Sequence, residues 1–415
     1  MLKSEIKEIL VQQNELKLDQ KFIKRDIFSE LEKQIKNPFI IIISGIRRCG
    51  KSTLLYQLRE KYPGYFMNFD DERLIDFSVK DFQKLDEVFH EEFRNKELYY
   101  FDEIQNIKAW ERFARRLRDN EKKVIVTGSN ASMLSRELGT HLTGRYLQIT
   151  LFPFSFKEFL KFKNIQYDKK SFSLTEKKAE LKNSFEEYLK KGGFPEFLKT
   201  DNPDYLKLLY DNILYRDIIV RYNLKNEKSM KELLNFIATN VSKEISFNSI
   251  KKSLQIKSPT TVKEYFDYLE NCYLGFIVPT FKYSLKKRIY SKKKIYLIDT
   301  GLANYLGYRF SKDSGRLLEN SVFIELKRRR KEIFFHRDNF ECDFIIRKGV
   351  KITEAFQVCY EIHEENKERE INGLIEALKK FKLKKGLILT LDQSDELKIK
   401  NKKIIVKPVW KWLLE

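Results

Sequence analysis

The chain has 415 residues, too many for one ordinary core, so two or three domains are expected. Lys and Arg number 81 against 60 Asp and Glu, which leaves a formal net charge of +21 and a sequence pI near 9.4. The four cysteines, Cys49, Cys272, Cys342 and Cys359, show no CxxC spacing and no histidines at ligand intervals, which argues against a disulfide framework or a structural zinc.

The basic excess favours a polyanionic partner such as DNA. Lysine-rich usage of the thermophilic kind is the competing reading. The amino terminus, MLKSEIKEIL, lacks a signal-peptide apolar stretch, and the run Phe39 to Ile43 is too short to span a bilayer. The expectation is a cytoplasmic protein without a membrane segment.

In chain order, residues 1–37 carry apolar positions at helical spacing and end at Asn37-Pro38, where a helix stops. Apolar strands alternating with helical patterns follow, at FIIIIS (39–44), YFMNF (65–69), LYYFDE (98–103), VIVTGS (124–129) and RYLQITL (145–151). That alternation predicts an α/β domain with a parallel sheet covered on both faces, over 38–160. Residues 161–229 read as helical, broken at Gly192, Gly193 and Pro195. The order helix, short helix, longer helix, basic hairpin over 230–315 suits a winged helix-turn-helix. Residues 316–415 return to mixed α/β.

Gly45 to Ser52 read GIRRCGKS, which matches G-x-x-x-x-G-K-[ST] at the end of an apolar strand and the start of a helix. In such a loop the glycines let backbone amides turn inward on phosphates, and the helix amino terminus adds its positive end. Gly45, Ile46, Arg47, Arg48, Cys49, Gly50, Lys51, Ser52 and Thr53 are the expected ATP-binding residues. Lys51 would reach the β- and γ-phosphates, and the Ser52 hydroxyl would serve Mg²⁺.

Asp102 and Glu103 end the strand LYYFDE, where one carboxylate would hold Mg²⁺ and the other would polarise the attacking water; a solvated turn or helix cap is the alternative, which the P-loop 51 residues upstream disfavours. Ser129 and Asn130 end a neighbouring strand and are candidate γ-phosphate sensors; an ordinary turn is the alternative. Arg145 is a candidate arginine finger across a homo-oligomer boundary, with a plain surface arginine as its rival.

The segments GIRRCGKSTLL (45–55), YFDEIQNIKAWERFARRL (100–117), VTGSNASMLSRELGTHLTGR (126–145), LFPFSFKEFL (151–160), YLKKGGFPE (188–196), YRDIIVRY (215–222), IYLIDTGL (295–302) and RLLENSVFIEL (316–326) run through nearly the whole chain. In these the chain resembles the prokaryotic AAA-type ATPases of the STAND-like and MNS-like branch that carry a carboxy-terminal domain of unknown function. The resemblance implies an AAA-type P-loop core, a winged-helix module and a terminal domain with the restriction-endonuclease-like fold.

It also gives Asp102 and Glu103 the Walker B role, Ser129 or Asn130 that of sensor 1, and Arg145 that of arginine finger. Nucleases of that terminal fold use a helix glutamate, a strand aspartate, and an acid and a lysine one apart on the next strand. Glu319 and Asp343 fit the first two positions, but Gln357 and Cys359 stand at the others, so cleavage is not expected.

Ser258 and Pro259 mark the start of a helix whose Tyr265, Phe266, Tyr268 and Leu269 suit a core better than base reading. The hairpin after it offers Lys282, Lys286, Lys287, Arg288, Lys292, Lys293 and Lys294 as candidate phosphate contacts. The leading expectation is an ATPase whose nucleotide state alters DNA engagement by this basic module. The alternatives are a signalling, chaperone-like or defence ATPase that binds a protein partner, and, less favoured, an ATP-dependent nuclease.

Overall fold

The structure is a computed structural model and describes residues 1–15, 22–130, 144–307, 314–399 and 401–415. Residues 131–143 of the motif beginning at Val126 therefore lie outside the described residues. The chain divides into two compact units, Met1–Phe152 with Asn271–Tyr273, and Pro153–Glu270 with Leu274–Glu415.

The first unit holds a five-stranded sheet of β1 (Ile40–Ser44), β2 (Tyr65–Asn68), β3 (Leu98–Asp102), β4 (Lys123–Gly128) and β5 (Tyr146–Thr150). Its order is β2-β3-β4-β1-β5, and every pairing is parallel. β1 is buried along its full length because apolar side chains must face helices on both sides of a parallel sheet.

Helices Lys51–Lys61, Phe82–Glu92 and Trp110–Asp119 connect the strands. Phe82 and Phe113, from the latter two, stack with centroids 4.4 Å apart. The amino-terminal helix Lys3–Glu15 buries Ile6, Ile9 and Leu10, a one-face spacing, into the same core.

In the second unit, Ser155 and Glu158 form a capping box at helix Phe156–Phe162. Helix Thr175–Lys191 ends at Gly192 (φ +73), and Pro195 opens the next helix, so the Gly-Gly-x-Pro break acts as expected. Residues Ile213–Val220 form a π-helix. Helices Glu227–Thr239, Phe247–Ser253 and Pro259–Asn271 then alternate with a small sheet of β6 (Glu244–Ile245), β7 (Gly275–Pro279) and β8 (Lys293–Leu297), ordered β6-β8-β7.

Ser258 Oγ accepts the Thr261 N–H at 3.1 Å and caps Pro259–Asn271. That helix buries Val262, Tyr265, Phe266 and Leu269, while Tyr268 stacks on Tyr222, so its aromatic face is core.

A six-stranded sheet completes this unit: β9 (Glu332–Arg337), β10 (Glu341–Lys348), β11 (Lys351–Val358), β12 (Lys385–Thr390), β13 (Asp395–Ile399) and β14 (Lys402–Pro408). Its order is β13-β14-β12-β11-β10-β9, antiparallel over β9-β10-β11 and parallel over β11-β12-β14. Helix Glu364–Lys380 makes the crossover between the parallel strands β11 and β12. No helix among the described residues is long and apolar enough to cross a membrane.

Candidate functional site

Parallel pairing brings the carboxyl ends of β1, β3 and β4 to one edge of the first sheet. Ser44 is level with Gly128, and Phe101 with Val126, so the loop after β1 and the residues after β3 and β4 converge there. Gly45 is required for space as well as conformation: a Cβ at its position would lie 2.2 Å from the Leu151 carbonyl oxygen. Gly50, at φ +98, turns the chain into helix Lys51–Lys61.

Ile46 and Cys49 anchor the loop with fully buried side chains, and burial pushes the Cys49 thiol up. Arg48 faces solvent at φ +64, and Arg47 is half-exposed. Arg25, which the sequence reading did not single out, braces the loop from beneath. It donates to the Cys49 carbonyl at 2.8 Å and the Phe152 carbonyl at 2.6 Å.

Lys51 is buried, and its ammonium lies 3.2 Å from the Gly45 carbonyl, 3.3 Å from that of Ile46 and 3.3 Å from Glu103 Oε1. Burial works against its charge, but the Glu103 carboxylate together with the neighbouring Cys49 and Asp102 outweighs that and raises its pKa. The same pair holds Glu103 below the ordinary carboxylate range despite its desolvation. Glu103 itself sits at φ +48, a left-handed turn that directs the residue after β3 toward the loop.

Asp102 is the opposite case: desolvation and the adjacent Glu103 charge push it up, against hydrogen bonds from the Ser52 and Thr127 hydroxyls. Thr127 on β4 also accepts the Glu103 N–H at 2.9 Å. Ser129 Oγ is buried and finds no hydrogen-bond partner among the described residues. Asn130 is fully buried beside it. A buried carboxylate facing hydroxyls is an oxygen donor set of the kind Mg²⁺ takes, so Ser52 and Asp102 fit that ion.

Arg145 precedes β5 at the opposite edge, where its carbonyl accepts the Ile40 N–H and its guanidinium lies 3.6 Å from Asp119. A full strand length, roughly 15 Å, separates it from the phosphate loop of its own chain.

A second cluster lies in the other unit. Asn320 exchanges two hydrogen bonds with the Leu297 backbone, at 2.9 and 3.0 Å, which fixes helix Ser314–Arg328 against β8. Glu319 is thereby set beside Lys294 and Tyr296, which share one face of β8 because side chains alternate along a strand. Tyr296 donates to Glu319 at 2.6 Å.

Lys294 lies 2.9 Å from Glu319, 2.6 Å from Glu341 and 2.7 Å from Asp343. Burial pushes Asp343 and Glu319 up against the pull of the ammonium. Gln357 donates to Glu370 at 2.7 Å, and desolvation drives the Cys359 thiol far up.

The structure corrects two candidate phosphate contacts. Lys294 is enclosed among these carboxylates, and Lys293 is buried as it donates to the Ile289 and Ser291 carbonyls at 2.8 and 2.7 Å. Among the other cations, Arg288 lies over the Phe334 ring and is half-buried, whereas Lys286, Lys287 and Lys292 are exposed. Lys292 also pairs with Glu244 at 3.0 Å, and Lys282 with Asp338 at 3.6 Å. A short helix, Leu285–Tyr290, occupies the middle of the expected hairpin.

An AAA domain matches residues 37–160, and a domain of unknown function (DUF8612) matches 182–314. An uncharacterised protein of Methanocaldococcus jannaschii is 37% identical, with 98% of this chain and 94% of that protein covered. One from Haemophilus influenzae is 32% identical over 95% of this chain and 99% of its own.

Among solved structures, the ORC2 protein of Aeropyrum pernix in its ADP form is similar over 64% of this chain and 89% of that chain, at 12% identity and a TM-score of 0.32. RuvB of Thermotoga maritima is similar over 66% and 93%, at 14% identity and a TM-score of 0.26. With a P-loop at the edge of a parallel sheet and two relatives matched along nearly their whole length, the chain belongs to the same family of AAA-domain proteins as these relatives.

Proposed function

We propose that this chain binds ATP at residues 45–53 and hydrolyses it, and that its nucleotide state modulates engagement of the carboxy-terminal module with DNA. The observation that carries the first part is the Lys51–Glu103 pair at 3.3 Å with Asp102 beside it. The Lys51 ammonium is already aimed into the loop, where phosphate oxygens would compete with the Gly45 and Ile46 carbonyls for its protons. Glu103, kept ionised, is the base that orients and polarises water. Ser52 and Asp102 would hold Mg²⁺, which when bound shields the negative charge of the phosphates. The Ser129 hydroxyl is a free donor at the strand end suited to a γ-phosphate oxygen.

The helices and small sheet of 227–297 support a winged-helix reading, and the order of β9 to β14 around helix Glu364–Lys380 supports a restriction-endonuclease-like one. DNA contact would rest on Lys286, Lys287 and Lys292, the exposed cations of this segment. Arg145, out of reach of its own loop, would act on a neighbouring copy.

A second reading, a protein partner, is favoured by the apolar residues among those same cations. Tyr283, Leu285 and Tyr290 are 77%, 67% and 82% exposed. Binding assays against duplex DNA over a salt series separate the two, because phosphate contacts give a steep salt slope and apolar docking does not. The assignment of the ATP site is tested by Lys51→Ala and Glu103→Gln, measured for both ATP affinity and turnover.

A further inference from the structure

The cluster around Asp343 has the carboxylates of a divalent-cation site without room for the ion. Glu319 Oε1, Glu341 Oε1 and Asp343 Oδ1 converge on the Lys294 ammonium at 2.9, 2.6 and 2.7 Å. An ammonium has three protons, and these three oxygens account for all of them. The remaining oxygen of Asp343 accepts the Val358 N–H at 2.8 Å.

The next strand supplies nothing in compensation. Gln357 brings no charge and is engaged by Glu370, and Cys359 is a buried thiol, a soft ligand unsuited to a hard ion. Mg²⁺ needs near-octahedral oxygen ligands at about 2.0–2.1 Å and retains several waters. This arrangement of residues does not fit it.

We infer that Lys294 is the resident cation of this cluster, standing where a nuclease of this fold would hold a divalent ion. Lys294 comes from β8 of the small sheet, whereas Glu341 and Asp343 come from β10 of the large one. The ammonium therefore ties the two sheets together in a metal-free ionic latch. The latch continues outward through Arg337, 2.6 Å from Glu341 and 2.8 Å from Glu244, and Glu244 in turn pairs with Lys292. Removing the ammonium while keeping the apolar stem would leave three converging carboxylates, and so would create a divalent-cation site.

The test is Mn²⁺ binding to the full chain without nucleotide, followed by electron paramagnetic resonance. In the wild type, Asp343→Asn should leave the Mn²⁺ stoichiometry unchanged. Lys294→Met should gain one Mn²⁺ per chain, and Lys294→Met with Asp343→Asn should lose it again. Loss of one Mn²⁺ on Asp343→Asn alone would overturn the inference, and so would a folded Lys294→Met protein with no added site. The first comparison decides the matter even if Lys294→Met does not fold.

Discussion

At the scale of single residues, Lys51 and Glu103 are one another's partner yet carry different duties. Lys51→Ala removes a point charge from the phosphates and should abolish or greatly weaken ATP binding. Glu103→Gln keeps the shape of the side chain but cannot polarise water as a carboxylate does. It should retain binding while slowing turnover by roughly 100-fold or more. Equal loss of affinity in both, read by fluorescent-nucleotide titration, would refute this division.

The phosphate loop was legible because its residues are contiguous and their spacing is dictated by the ligand. Arg25 and Lys294 were not, because nothing local announces them. Arg25 acts through carbonyls at Cys49 and Phe152, and Lys294 reaches three carboxylates from two other stretches of chain. In the sequence Lys294 reads as one more cation in the run SKKKIY. That β8 is buried along its whole length and encloses Lys294, while Lys292 just before the strand stays outside, became visible only with the strand's pairing.

At the scale of elements, two motifs legible separately prove to be one piece of structure. The Gly-Gly turn after helix Thr175–Lys191 wraps the Asp299 carboxylate, which accepts N–H groups from Gly193 at 2.7 Å and Leu302 at 2.9 Å. A Cβ on Gly192 would lie 2.1 Å from Asp299 Oδ1, at a φ of +73 that is itself unfavourable for a side chain. Gly192→Ala should therefore destabilise the protein by more than about 2 kcal/mol, measured by urea unfolding.

Desolvation raises the Asp299 pKa from 3.8 to about 6, against the pull of its backbone donors. The folded state thus holds this proton more tightly than the unfolded chain. The contribution of Asp299 to stability is greatest below about pH 4 and is lost, by about 3 kcal/mol in all, as the pH rises through about 6. Asp299→Asn should remove that part of the slope. An identical pH dependence in wild type and variant would show that the carboxylate is solvated.

At the scale of the whole molecule, the predictions concern partners. If Arg145 serves a neighbouring copy, Arg145→Ala mixed with Glu103→Gln should recover turnover that neither has alone, because some interfaces then pair an intact Glu103 with an intact Arg145. No recovery, in oligomers shown to exchange subunits, would leave Arg145 as a surface residue paired with Asp119.

Neutralising Lys286, Lys287 and Lys292 together should weaken duplex binding and lower its logarithmic salt slope by about 2 to 3. An unchanged slope would make them a solvated face. The parallel sheet was readable from the order of the sequence, since five apolar runs alternate with helices. The hairpin was not: short-range pattern gave no sign that Leu285–Tyr290 would coil into a helix that Lys293 closes from below.

The most direct measurement is ATP turnover by the purified full chain with Mg²⁺, with and without duplex DNA. Mg²⁺-dependent phosphate release should appear, fall by roughly 100-fold or more in Glu103→Gln, and change in rate when DNA is added. A folded wild type that releases no phosphate under either condition, or releases it equally well as Glu103→Gln, would contradict the proposed function.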